Sequence, residues 1–294
     1  SQNATVSNSS VAGNVSGSRG VGGLVGVMHN GTVETSSASG TVSPTAGVSD
    51  ALGIGGLVGA NGAVDAYNLA YGPFPGGTIV DSNASNTVNV SSGKTGVAVG
   101  GLTGFNYRGD IETSNASGDV WTEPTNRNNA GIGGLVGINA GNVTASRATG
   151  KVTGFWFVGG LVGGDAGRVS DSTATGNVNG VVMSGGLVGL EVDDSVDWNK
   201  LLSTTMPANQ PDAGPVRNSK ATGDVTSPGS PAGQPDGISL GGLVGSNGIY
   251  DPPNFDWPGV TIMNSTASGN VTVANGSDPR KWIGGLVGQN YRGR

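Results

Sequence analysis

The sequence predicts an all-β fold, a β-solenoid (β-helix-like) of eight stacked rungs with loop insertions, and three observations predict it. A block reading G-G-L-V-G, once G-G-L-T-G, occurs eight times, centred on Leu24, Leu57, Leu102, Leu135, Leu161, Leu187, Leu243 and Leu286. A second block, V/I-x-x-S-x-A-S/T-G-x-V, precedes each copy and begins at Val6, Val33, Ile79, Ile111, Val143, Val169, Val216 and Ile262. The 57 glycines recur at fixed places between β-branched residues, a pattern of ordered turns and close packing rather than of disorder. Tandem units of this kind bury their apolar faces against one another, which makes a solenoid or array rather than a globular domain.

The repeats run end to end, so residues 1–294 read as a single β-solenoid with repeats at about 6–32, 33–78, 79–110, 111–142, 143–168, 169–215, 216–261 and 262–294. The shortest, 143–168, has no insertion. In it Ser146, Ala148, Gly150 and Val152 share one parity and therefore one face, with Arg147, Thr149 and Lys151 on the other. The small-residue face is expected to point inward, giving a thin interior. In the G-G-L-V-G block both faces are apolar or bare. Leu135 is flanked by Gly133 and Gly137, and Val136 shares its face with Gly134 and Ile132, so this strand is expected to be covered on both sides. Its glycine grooves would be filled by a neighbouring sheet, an insertion loop or another molecule.

Four residues after the leucine stands Asn61, Asn106, Asn139, Asp165, Asn247 or Asn290, with Met28 and Glu191 as the exceptions. A glycine soon follows, as in Asn139-Ala140-Gly141, which reads as a turn needing positive φ. Stacked at a spacing of about 4.8 Å, these side chains would form an amide ladder; isolated turn formers are the competing reading. Eight rungs at that spacing give a body roughly 35–40 Å long. Insertions at 60–78, 190–215 and 246–261 follow the block, and shorter ones near 43–53, 121–131 and 226–240 precede it. Tyr67, Tyr71, Phe74, Trp198, Phe255 and Trp257 fall in them, so the loops are expected to pack on the rod or on a partner.

A net charge of −6, a pI near 4.6 and singly scattered Lys and Arg exclude a nucleic-acid partner. No apolar run of about 18 residues is present, so no membrane insertion is expected. Charged residues are 12% of the chain, about half the usual roughly 25%, which leaves Ser, Thr and Asn to solvate the surface. The absence of Cys excludes a disulfide scaffold and thiol chemistry. The chain opens at Ser1 without a leader, as expected of a processed protein or of an excerpt from a longer one. Candidate N-glycosylation sequons begin at Asn3, Asn8, Asn14, Asn30, Asn83, Asn89, Asn115, Asn142, Asn264, Asn270 and Asn275; about half would arise by chance in a chain so rich in Ser and Thr.

The ordered combination G-G-L-V-G-x-N-x-G-x-V/I-x-x-S-x-A-T-G-x-V-x-G, most complete at 133–154, resembles the GLUG repeat of bacterial and archaeal surface proteins, including non-catalytic parts of secreted IgA-cleaving peptidases and large adhesins. The resemblance covers almost the whole chain. It implies an extracellular β-solenoid used as stalk, spacer or assembly unit and carries over no catalytic residue. Thr103 for Val, Val11 for Ala and the missing Asn in the first and sixth repeats depart from the pattern.

Residues that could carry chemistry are few. His29, the only histidine, sits beside Asn30-Gly31 and has no partner at a useful spacing, which suits an exposed turn residue better than a base or a zinc ligand. The acidic run of Glu191, Asp193, Asp194 and Asp197 offers oxygen ligands for calcium, with the last three as the metal candidates. It lacks the Asp-x-Asp-x-Asp-Gly arrangement, so a solvated acidic loop is the favoured reading. Gly131-Ile132-Gly133-Gly134 is not followed by Lys-Ser/Thr and a helix, which excludes a phosphate loop. A groove that cleaves acidic polysaccharide needs focused carboxylates and cations, whereas the outward positions Asn115, Arg147, Thr173, Lys220 and Thr266 vary without focus. The outward column Ser39, Ser85, Ser117, Thr149, Thr175, Thr222 and Ser268 reads as solvation of a β-surface rather than as an ice- or glycan-binding array.

The expected function is thus structural: a non-enzymatic, cofactor-free, self-assembling subunit of a cell-surface fibre or sheath, located outside the cell. The expected partner is a homo-polymer contact through end rungs or the G-G-L-V-G face, with glycans as further ligands. An uncapped terminal rung leaves N–H and C=O groups unpaired and recruits another strand. The alternatives are a non-catalytic stalk or adhesin module binding a host or glycan ligand and, ranked last, a polysaccharide-cleaving β-helix enzyme.

Overall fold

The computed structural model describes residues 4–45, 50–62, 75–91, 93–193, 195–196, 214–229, 237–251, 255–274 and 281–293. Among them all regular structure is β-strand, arranged as five parallel ladders that each pass through all eight repeats. The repeat 143–168 shows the five stations, here lettered a to e. Station a is Val143, paired with Ile111 before it and Val169 after it. Station b is Arg147–Ala148, paired with Asn115–Ala116 and Thr173–Ala174. Stations c and d are the two halves of the strand Val152–Gly159, and station e is Val162–Asp165. Ladders c and d share one sheet, a and e share another, and b stands alone, so a rung visits three sheets.

The chain folds into layers because apolar residues of successive stations face one another. Station a packs on e through Val143, Leu135 and Val136, and Ala148 of b closes that core. Station c packs on d through Val152, Ile132 and Val158. The second face of d meets the second face of e through Ala98, Phe157, Phe105 and Ile138. The section therefore reads a, e, d, c, with b bridging the outer two. Strands d and e, joined by the G-G-L turn, are buried on both faces, as the pattern of the block predicts.

Three glycines of the block have three distinct steric reasons. A Cβ on Gly133 would collide with the carbonyl oxygen of Val136 across the turn. One on Gly134 would strike the carbonyl oxygen of Gly160 in the next rung and lie 3.0 Å from the Ala148 methyl. One on Gly137 would meet the Ala98 carbonyl carbon at 2.5 Å and the Gly104 oxygen at 2.6 Å, because here the backbones of e and d touch. The glycine grooves are thus filled by this chain's own strands. The recurrent leucine sits at the tip of the turn, fully buried at Leu57, Leu102, Leu135, Leu161, Leu187 and Leu243. Leu24 is partly buried against the same core, and Leu286 in the last rung is 42% exposed.

The corner between a and b is made by one left-handed residue per repeat: Asn8, Thr35, Asp81, Thr113, Ala145, Asp171, Asn218 and Asn264, with φ between 45° and 54°. Asn and Asp tolerate this conformation, whereas Thr35, Thr113 and Ala145 are held in it by the rungs above and below. At the e-to-a turn the expected positive φ is not on Gly141; Asn30, Gly62, Arg108, Gly248 and Arg292 adopt it there. Gly141 is required for room instead, since a Cβ would lie 2.7 Å from the side-chain nitrogen of Asn106.

The insertion after the seventh block folds back as a hairpin, pairing Gly248 with Pro258 and Asp251 with Phe255, the only antiparallel pair among the described residues. Trp257 is buried there against the e–d core, as expected for an insertion packed on the rod. Tyr67, Tyr71, Phe74, Trp198 and the side chain of Phe255 lie outside the described residues.

Candidate functional site

Two columns of polar groups recur from rung to rung in the interior. Just after the left-handed corner comes a serine in every repeat: Ser9, Ser36, Ser82, Ser114, Ser146, Ser172, Ser219 and Ser265. The backbone N–H of each donates to the hydroxyl of the next, at 3.1–3.2 Å, in an unbroken chain from Ser9 to Ser265. Every hydroxyl donates in turn to the carbonyl two residues before it, at 2.7–2.9 Å. The corner turns this N–H away from a carbonyl partner, and the hydroxyl of the next rung supplies the missing acceptor. These serines belong to the small inward face that strand parity indicates, but the hydrogen-bond column they form has no counterpart in that reading.

The second column is the amide ladder. Asn61 donates to Asn106 at 2.9 Å, Asn106 to Asn139 at 2.7 Å, Asn139 to Asp165 at 2.7 Å, and Asn247 to Asn290 at 2.8 Å. Each also closes its own turn: Gly77 N–H donates to Asn61 and Val260 N–H to Asn247, while Asn106 donates to the Gly109 carbonyl. Met28 and Glu191, the two exceptions, occupy the same register, Met28 beside Asn61 and Glu191 between Asp165 and Asn247.

Asp165 and Glu191 are fully buried neighbours. Burial pushes the Asp165 carboxyl up to about 6 against the opposing hydrogen bonds from Asn139, Gly167 and Glu191. Burial, then the charge of Asp165, raises Glu191 well above the ordinary carboxylate range. Counted as acceptors, Asp165 Oδ2 and both Glu191 oxygens have no donor.

The remaining candidates fall as follows. Asp193 leaves the rod's interior and accepts the Ser195 N–H at 3.0 Å; Asp194 and Asp197 lie outside the described residues. Among the described residues no three His, Asp or Glu side chains are grouped to hold a metal ion. His29 is exposed. Asn8, Asn14, Asn30, Asn83, Asn89, Asn115, Asn142, Asn264 and Asn270 are all exposed, and Asn3 and Asn275 lie outside the described residues. In the outward hydroxyl column, Ser39 and Ser85 reach back to carbonyls of the preceding rung, at 3.4 and 3.5 Å.

Among known families, the model of the GLUG motif matches residues 17–43 and 95–120. Each match begins before the G-G-L turn and runs through stations e, a and b into c, so the motif corresponds to one turn of this solenoid. No curated protein and no solved structure matches the chain. The two matched segments cover the same turn that recurs through all eight rungs, so the chain is similar to GLUG-motif proteins in the unit from which the rod is built.

Proposed function

We propose that this chain is a structural extracellular protein, a self-assembling subunit of a cell-surface fibre or sheath. The observation that carries the reading is that every recurrent position of the repeat is occupied in joining one rung to the next. The leucine and the valines fill the shared cores, the glycines let backbones touch, and the serine and asparagine columns tie successive rungs together. Outward positions, where a catalytic or recognition array would stand, vary from rung to rung: Asn115, Arg147, Thr173, Lys220 and Thr266 occupy one column.

The outermost rungs support association between copies. In the last one Met263, Trp282, Ile283 and Leu286 are exposed, and in the first Val27 is. A further rung of the same register, brought by a second copy, would bury these side chains and satisfy open ladder groups. Exposed sequons suit a location outside the cell. The alternative, a non-catalytic stalk or adhesin module for a host or glycan ligand, is favoured by the insertions that interrupt the rod between stations.

Electron microscopy of the purified chain at high concentration tests the reading. Filaments with an axial period near eight rungs, roughly 38 Å, are expected. A strictly monomeric species by light scattering would remove the subunit reading in favour of the stalk. Depolymerisation of a uronic-acid polysaccharide, abolished by replacing Asp193, would show an enzyme instead.

A further inference from the structure

The amide ladder has a direction. Each Asn donates its Nδ2–H toward the rung that follows it, so the chain of donors runs from Asn61 through Asn106 and Asn139 into Asp165. As a carboxylate Asp165 only accepts, and the donors resume at Asn247, which points onward to Asn290 and to the Val260 carbonyl. Glu191 is therefore stranded between an acceptor and an amide whose hydrogens are used elsewhere. It stands in register with both and is wholly buried. Among the described residues no cation is buried beside the pair. Among the described residues, the titratable side chains on the neighbouring elements are Arg168, Asp193, Arg217 and Asp256. The first, third and fourth are exposed, and Asp193 is directed to Ser195.

We infer that Asp165 and Glu191 share a proton in the folded rod and form a pH-sensitive latch between the fifth and sixth rungs, closed while the proton is held and opened when both carboxyls ionise. With the proton on Glu191, its hydroxyl donates to Asp165 Oδ2 and the column continues across the gap. Without it, two negative charges stand side by side, both wholly buried, where neither is solvated. The latch lies where the longest insertion leaves the rod: Val192 N–H donates to the Asp165 carbonyl at 3.0 Å, and Gly214 N–H to the Gly167 carbonyl at 2.7 Å where the chain returns. Opening therefore frees the base of that insertion first, while the serine column still holds the rungs at the other corner through Ser146, Ser172 and Ser219.

The direction follows from linkage. Both carboxyls hold their protons to higher pH in the folded chain than in the unfolded one, so the folded state binds more protons above the ordinary carboxylate range. The stabilisation is complete in acid, below the unfolded values near 4, and is lost as pH rises through about 6 and beyond. Thermal unfolding of the whole chain between pH 4 and 9 tests this, comparing wild type with Asp165→Asn and Glu191→Gln. Wild-type Tm is expected to fall by about 5–10 °C more than that of either variant over the range, the equivalent of about two pKa units in a chain of this size. Asp165→Asn restores the donor that the other rungs have, so it is expected to fold and to exceed wild type at pH 9. If Glu191→Gln does not fold, hydrogen exchange in the wild type decides. The Gly167 and Val192 amides should lose protection on raising the pH, beyond the rise of exposed amides and ahead of Ser146. Parallel pH profiles for wild type and Asp165→Asn would overturn the latch. So would a Tm increase on adding calcium at pH 8 that Asp165→Asn abolishes, since the pair would then hold a cation rather than a proton.

Discussion

Replacing Ser146 by Ala isolates the contribution of the serine column. The side chain is buried, its hydroxyl accepts the Ser114 N–H at 3.1 Å, and it donates to the Thr144 carbonyl at 2.9 Å. Alanine keeps the volume nearly unchanged and removes both bonds. The Ser114 N–H is then left in a dry interior without a partner, a loss of about 1–3 kcal/mol, and the missing donation adds about 0.5–1.5 kcal/mol. A destabilisation of about 2–4 kcal/mol is expected. Ser9→Ala is the internal control. Its hydroxyl donates to the Ser7 carbonyl in an exposed setting, and no described rung precedes it to use the oxygen as acceptor. Its change should stay within about 0.5 kcal/mol.

Urea unfolding followed by circular dichroism measures both, with an unchanged m-value as the condition for comparing midpoints. Because a solenoid is stabilised rung by rung, the damage from Ser146→Ala should also be local. The Ser114 amide should lose hydrogen-exchange protection, while Ser36, three rungs from the substitution, keeps it. Equal midpoints for the two variants, or an unchanged Ser114 amide, would refute the claim that the column carries stability.

Four further outcomes are expected. Gly137→Ala places a methyl against the backbone of Ala98 and Gly104, which cannot move aside as a side chain can, so it should exceed the about 1–3 kcal/mol of ordinary overpacking or abolish folding. Gly13→Ala, with nothing near its Cβ, should be silent in the same melt. Leu135→Ala should cost about 2–5 kcal/mol, whereas Leu286→Ala, in the exposed last rung, should cost about 1 kcal/mol or less when the monomer is measured. In a host that glycosylates sequons, Asn83 and Asn115 should not be occupied on one molecule. They sit on adjacent rungs, with the Asn115 amide donating to Asn83 at 3.0 Å, and a doubly modified fragment in mass spectrometry would contradict this.

Much of the fold was legible because the repeat separates positions by what they touch. Parity placed Ser146, Ala148, Gly150 and Val152 inside and Arg147, Thr149 and Lys151 outside, as the structure has them. The block around Leu135 was legible as a strand covered twice, since neither of its faces carries a polar residue. What covers it was not legible. Periodicity gives the direction of a side chain within a strand but not the path between strands, so the folding of e onto d, with glycine against backbone, could not be read from G-G-L-V-G alone. Gly141 shows the same limit: turn chemistry suggests positive φ, while the structure requires space for the Asn106 amide.

The polar columns show how far repetition itself can be read. The asparagine ladder was legible because amides recur at one offset from the leucine and can pair with their own kind. The serine column recurs just as regularly, yet its donor is a backbone N–H that becomes available only at the left-handed corner, and no side-chain pattern marks that corner when Thr113 or Ala145 occupies it. The carboxyl pair is the opposite case, because it is visible only as an irregularity. Asp165 passes for one more turn former and Glu191 for a missing Asn until the register sets them side by side. In a rod whose regular positions are all used in stacking, a position that breaks the column is where a property other than stacking can reside. The latch test at Asp165 and Glu191 therefore asks something that no substitution at a regular position can answer.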